Sequence, residues 1–220
     1  MRNAYHEELS GIGRGLVDMA RFSAQAVERA TAALLDSDLP TAEQIIAEDA
    51  RLDGMHHDLE NRAITLLARQ QPVATDLRLV VTSLRMGTDL ERAGDLAQHV
   101  AKLTRLRYPE SVIPQELRPI VRDMGRLAKE LMLKTAEVLD ARDVDLALTL
   151  EGDDDQMDLL HRELFQHMID GRWKHGIETA VDVTLCGRYY ERFADHAVEV
   201  AKRVVFLVTG EHADDFVVES

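Results

Sequence analysis

The 220-residue chain carries the same acidic phrase in each half. Leu90-Glu91-Arg92-Ala93-Gly94-Asp95-Leu96-Ala97 and Tyr190-Glu191-Arg192-Phe193-Ala194-Asp195-His196-Ala197 stand 100 residues apart, and both run on into Val-Ala-Lys, at 100–102 and 200–202. An acidic pair precedes each copy, Asp49 with Asp53 and Asp154 with Asp158, at an offset of 105 (154 − 49), so the halves align with five residues deleted between the motifs. Self-similarity at a near-constant offset marks a duplicated unit that packs against its twin. It confines the chain to folds that divide into two like halves.

Apolar spacing says what each half is. Leu9, Ile12, Leu16, Met19, Ser23, Ala26, Ala30 and Ala33 alternate by three and four, the stripe of an amphipathic helix. That helix is expected to stop near Leu35, before a turn in which Asp38 caps the next helix and Pro40 occupies its first turn. A second helix is predicted from Pro40 to about Arg69, on Ile45, Leu52, Leu59, Ala63 and Leu66, and Gln70-Gln71-Pro72 breaks it. A third, from about Ala74 to Leu106, carries Leu77, Val80, Val81 and Leu84 ahead of Glu91 and Asp95. Tyr108-Pro109 and Ile113-Pro114 then punctuate a linker.

The second half repeats the plan. Leu117, Ile120, Met124, Leu127, Leu131 and Val138 stripe a fourth helix, and Asp143 takes the place of Asp38. A fifth helix is predicted from Val144 to Ile169, Gly171 and Gly176 bracket the next turn, and a sixth ends at Gly210. No segment shows the two-residue alternation of a strand. The expected fold is all-α: two tandem three-helix bundles related by internal duplication, at 1–108 and 116–210, joined by a linker at 109–115. An acidic tail at 211–220 is expected to lack regular order.

Forty acidic against 26 basic residues give a net charge of −14. Such a surface excludes nucleic acid as a partner, because that binding depends on Lys and Arg neutralising phosphates, and an anionic bilayer would repel it. No apolar run reaches the ~20 residues that span a bilayer, so direct membrane insertion is not expected. The first residues do not resemble a signal peptide, and the expected location is the cytoplasm. The single Cys186 lies in an apolar stretch and reads as a buried, inert thiol.

Residues four apart share a helix face. Glu91 with Asp95, and Asp49 with Asp53, are therefore like-charged neighbours on two helices that should run antiparallel. Glu91 also continues the heptad of Leu77 and Leu84, which places the acids at the edge of an apolar stripe. Converging carboxylates are costly unless a cation or basic side chains compensate them. Two readings stand: a metal held between the helices, or solvated acids satisfied by neighbours such as Arg92 and Arg192. Four such pairs in register on matching helices favour the metal. The histidines, His56-His57, His99 and His196, read as surface or supporting residues and not as ligands. Glu151-Gly152-Asp153-Asp154-Asp155 lacks the ligand alternation of a calcium loop and is predicted to be helix.

Gln71-Pro72-Val73-Ala74-Thr75-Asp76-Leu77-Arg78, followed by Thr88-Asp89-Leu90-Glu91-Arg92-Ala93-Gly94-Asp95, resembles the PhoU family of phosphate-uptake regulators. Trp173-Lys174-His175-Gly176 and Tyr189-Tyr190-Glu191-Arg192-Phe193-Ala194-Asp195-His196 are similar to its actinobacterial branch. The resemblance runs from about Tyr5 to Thr209 and implies two bundles side by side. It also implies multinuclear clusters of iron, zinc, manganese or magnesium. By position the ligands are Asp49, Asp53, Glu91 and Asp95 in the first half, and Asp154, Asp158, Glu191 and Asp195 in the second. It further implies a non-enzymatic negative regulator linking the phosphate ABC transporter ATPase to a sensor histidine kinase. A homodimer, recruited by its partners to the inner face of the membrane, completes the expectation. The second half lacks the Gln-Pro-Val-Ala phrase and has Tyr189 where the first has Asp89, so the poorer cluster is expected there.

Two alternatives remain at this stage. A carboxylate-bridged metalloenzyme of the ferritin-like kind uses Glu-x-x-His motifs, which this chain lacks. A metal-free structural bundle would leave the acids as surface solvation.

Overall fold

The computed structural model describes residues 2–169, 171 and 173–213. Its six helices are α1 (Arg2–Asp36), α2 (Leu39–Gln70), α3 (Ala74–Arg107), α4 (Arg118–Ala141), α5 (Val144–Ile169) and α6 (Gly176–Thr209), with a 3-10 turn at Gln115–Leu117. No strand occurs among the described residues. The all-α duplicated fold and its helix boundaries follow the sequence pattern closely. The tail at 214–220 lies outside the described residues.

The breaks have local causes. Asp38 caps α2, its Oδ1 accepting from the Thr41 amide at 3.1 Å and its Oδ2 from the Thr41 hydroxyl at 2.6 Å. Asp143 does the same for α5, accepting from the Leu146 amide at 2.9 Å. Gln71 ends α2 in the left-handed region (φ 45°), and Gly210 ends α6 with φ 87°, a conformation glycine adopts without a Cβ penalty. The Glu151–Asp155 run lies within α5, as helix.

Each half is a three-helix bundle, α1 with α2 and α3, and α4 with α5 and α6, and the two bundles pack side by side. α1 packs on α3, α3 on α6, α6 on α4 and α4 on α1, so four helices close a ring drawn from both halves. α2 lies outside this ring against α1 and α3; α5 lies outside it against α4 and α6. One apolar core runs through both halves. Position in the ring explains stripe width. The outer α2 buries a narrow line, Ala42, Ile45, Leu52, Leu59, Ala63 and Leu66. The inner α1 buries Val17, Ala20, Ala24, Val27 and Leu34 in addition to most of its predicted stripe, because it touches three helices.

On α3 the predicted apolar set divides. Val80 is buried and Leu84 half-buried, whereas Leu77 is 41% and Val81 38% exposed. The heptad that leads to Glu91 therefore runs along the flank of the helix and not through the core. The segment between the halves is no loose tether: Val112 and Ile113 are buried in the common core.

Polar contacts tie the halves at the ring. The Thr31 and Tyr190 hydroxyls meet at 2.8 Å inside the core. At one end of the α3–α6 seam Arg107 Nε donates to Asp182 Oδ2 at 2.5 Å; at the other Arg203 Nε donates to Asp89 Oδ2 at 2.9 Å. Gly125 on α4 provides the close approach that α1 needs, since a Cβ there would fall 2.3 Å from the Thr31 hydroxyl. Cys186 is fully buried, and burial pushes its thiol well above the ordinary range, as an inert core residue requires.

Candidate metal centre

The duplicated acids gather in two clefts, one between α2 and α3 and one between α5 and α6. Glu91 and Asp95 are half-buried on α3, facing Asp49 (half-buried) and Asp53 (exposed) on α2. Burial and then the charges of Asp95, Asp53 and Glu91 raise Asp49 to about 6, with Lys102 pulling it back. In the second cleft burial, then Asp195, Asp158, Glu191 and Asp155, raises Asp154 to about 7. Glu91 and Glu191 are also raised, first by burial and then by Asp95 and Asp195 respectively. Each cleft thus holds four carboxylates close enough to oppose one another's ionisation.

The clefts differ in how protein groups answer this charge. In the first, the Gln98 amide donates to Asp49 Oδ2 at 2.5 Å and to the Ile46 carbonyl at 3.3 Å, and Lys102 donates to the Gln98 carbonyl oxygen. The duplicate has a buried Val198 in place of Gln98, so Asp154 lacks that donor. Asp154 Oδ1 and Glu191 Oε2 are buried without a hydrogen-bond partner among the described residues. Among the described residues Arg188 pairs with Glu191 and Arg192 Nη1 with Asp195 at 3.3 Å.

Asp89 belongs to neither cleft. It is buried in the α3–α6 seam with Arg203 and His196. Tyr189, its counterpart, packs on the His99 ring at 5.2 Å in the same seam. Exchanging Asp for Tyr here alters the seam between the halves, and both clefts keep the same four acids.

Sequence reasoning set the histidines aside, and His99 and His196 do lie in the seam. His56 and His161 are different. They are 105 residues apart, the offset of Asp49 and Asp154, so that signal was present in the sequence. Each packs beside a duplicated glycine: a Cβ on Gly87 would meet the His56 ring at 3.2 Å, and one on Gly187 the His161 ring at 3.1 Å. The Nε2 of both is buried without a hydrogen-bond partner among the described residues. Burial, then Arg188, lowers His161, which favours its neutral form. Asp53-x-x-His56 and Asp158-x-x-His161 put an acid and an imidazole on one helix face in each half.

Carboxylate oxygen and neutral imidazole suit hard to borderline divalent ions. The excess negative charge and the orphaned Asp154, Glu191, His56 and His161 atoms fit a cation in chemistry. Among the described residues, no three His, Cys, Asp or Glu side chains stand close enough to hold one ion as they are placed.

A twice-built three-helix unit with an acidic cleft in each copy defines the class of this protein. The model of the PhoU domain matches residues 16–104 and again 121–204, and the chain belongs to the PhoU family. It is 48% identical over 210 residues to the phosphate-specific transport system accessory protein PhoU homolog 2 of Mycobacterium tuberculosis, covering 96% of this chain and 99% of that protein. It is 47% identical over 215 residues to PhoU homolog 1 of Mycobacterium leprae, covering 98% and 97%. Both relatives agree with the actinobacterial branch expected from the sequence. The crystal structure of PhoU from Pseudomonas aeruginosa, 28% identical, superposes with a TM-score of 0.82 over 94% of this chain and all of that one.

Proposed function

We propose that this chain is an accessory regulator of a phosphate-specific transport system, a non-catalytic negative regulator of phosphate uptake and of the phosphate-starvation response. The observation that carries the reading is the near full-length likeness, through both domains, to relatives bearing the accessory-protein name. In this reading the protein is a homodimer in the cytoplasm. It links the transporter ATPase to a sensor histidine kinase, and those partners bring it to the inner face of the membrane. No described helix is long and apolar enough to cross a bilayer.

The metal in this reading is held by Asp49, Asp53, Glu91 and Asp95, and by Asp154, Asp158, Glu191 and Asp195, with His56 and His161 at the edges. It supplies positive charge that neutralises each cleft and fixes α2 on α3 and α5 on α6. Closing the clefts on an ion requires the side chains to move from their present positions. Arg188 and Lys102, which now face the acids, set the competing charge.

A strain lacking this protein and any paralogue should express phosphate-starvation genes in phosphate-rich medium, and the tagged protein should co-purify the transporter ATPase or the kinase. Normal repression in that strain, or recovery of neither partner, overturns the reading. The duplicated Asp-x-x-His pairs favour one second reading, a carboxylate-bridged metal enzyme. An iron-loaded sample that consumes oxygen with turnover would establish it; the regulator reading expects none.

A further inference from the structure

Beyond the acidic clefts, the α3–α6 seam ends in a small cavity of about 140 Å³ whose walls are basic, in a chain of net charge −14. Thr82 and Arg85 of α3 line it, with Arg203 and Phe206 of α6 and His212 just beyond. Phe206 forms one wall, with the His212 ring stacked on it at 4.9 Å and 18°. Arg78 does not line the cavity; its guanidinium carbon lies 5.8 Å from the Phe206 ring centroid, and its Nε is buried with no hydrogen-bond partner among the described residues.

Charge at this end does not cancel. Arg203 is taken by Asp89 at 2.9 Å and by Glu199, itself on the wall, at 2.8 Å; Lys202, also lining, pairs with Glu151 at 3.0 Å. Those acids account for Arg203 and Lys202. Among the described residues Arg78 and Arg85 make no ion pair, and the four cations exceed the three acids by one charge (4 − 3), beside a buried threonine.

The duplication supplies an internal control. At the opposite end of the seam the positions of Arg78, Thr82, Arg85, Arg203 and Phe206 hold Glu178, Asp182, Leu185, Leu103 and Leu106. There Arg107 neutralises Asp182 at 2.5 Å and Glu178 at 3.5 Å. The fold thus builds the same junction without a cationic cavity, and packing does not explain the arginines.

We propose that this cavity binds a tetrahedral oxyanion of the phosphate class. Arginine recognises such ions through paired charge-assisted hydrogen bonds. At ~30 Å³ per water the space holds a few waters or one such ion, and it is far below the ~300 Å³ at which drug-sized ligand pockets begin.

The test is calorimetric titration of the full chain, with chelator present so that cleft metal cannot report, using potassium phosphate, potassium sulfate and potassium chloride at equal ionic strength. Saturable phosphate binding is expected. Arg85→Gln should weaken it about tenfold or more, the loss of one charge-assisted hydrogen bond. Arg29→Gln, on α1 where it pairs with Glu48 of α2, should leave it unchanged. Equal binding of sulfate supports the oxyanion class, and phosphate alone supports a narrower site of the same class. Absence of saturable binding by either oxyanion overturns the proposal. So does Arg85→Gln protein of native helicity that binds as wild type does.

Discussion

Asp89 of α3 holds two residues of α6 at once, Arg203 at 2.9 Å and His196 at 3.3 Å, across the seam between the duplicated halves. Removing one member of a buried ion pair leaves its partner desolvated and unpaired, a cost that reaches ~3–5 kcal/mol when burial is complete. Arg203 is partly exposed and keeps Glu199 at 2.8 Å, so Asp89→Ala should lose about 2 kcal/mol. A urea melt checks this; an unchanged midpoint would show that the seam does not depend on the pair.

The acidic clefts make metal-free protein unusual in its response to pH. Burial and the neighbouring acids raise Asp49 to about 6 and Asp154 to about 7. In the unfolded chain an aspartate titrates near ~3.9. The native state therefore binds these protons more tightly, and their contribution is complete below the unfolded value and is lost as pH rises through 6 and 7. Chelator-treated protein should melt higher at pH 5.5 than at pH 7.5. With metal bound the order should reverse, because protons then compete with the ion. Burial lowers His161 and His99, which work against this gain on acidification, so the comparison is made against Asp154→Asn: wild type and variant with the same pH dependence would contradict the clefts as described.

Metal and crowding predict opposite outcomes for single acids. If the clefts bind metal, loaded wild type should melt above chelated wild type by mass action. Asp95→Ala should abolish the contribution of the first cleft, and Asp195→Ala that of the second. If the acids are merely crowded, either change relieves like-charge repulsion and stabilises the helix pair by ~0.2–0.5 kcal/mol. Metal analysis beside the melting curves separates the two. The second cleft, with unpaired Asp154 and Glu191 oxygens, should show the larger chelator effect.

Gly125 gives a purely steric test. Alanine there would place its Cβ 2.3 Å from Thr31 Oγ1 and 2.8 Å from Thr31 Cβ. Thr31 is stiff at χ1 and bonded to both Val27 and Tyr190, so the helices must part. Gly125→Ala should cost about 1–3 kcal/mol despite a gain of ~1 kcal/mol in helix propensity. A more stable variant in a thermal melt would show that α1 and α4 have slack.

What the sequence determined by itself was everything governed by neighbours along the chain. The six helices, the Asp38 and Asp143 caps and the glycine stop at Gly210 arise from contacts within about four residues, and the pattern carries them. The four acids of each cleft were legible too, because duplication repeats them, Asp49 and Asp53 at an offset of 105 and Glu91 and Asp95 at 100. His161 carried that same signal, at 105 residues from His56. Only the tertiary structure decided which face of each helix meets which partner. It closed α1, α3, α4 and α6 into a shared ring, left Leu77 and Val81 exposed, and turned Asp89 away from the cleft into the seam. It also distinguished Gln98, which answers Asp49, from Val198, which cannot answer Asp154. Docking one half on the other joins residues about 75 to 160 positions apart, such as Arg107 with Asp182 and Thr31 with Tyr190. A helical period states how wide an apolar face is, and the fold alone states what covers it.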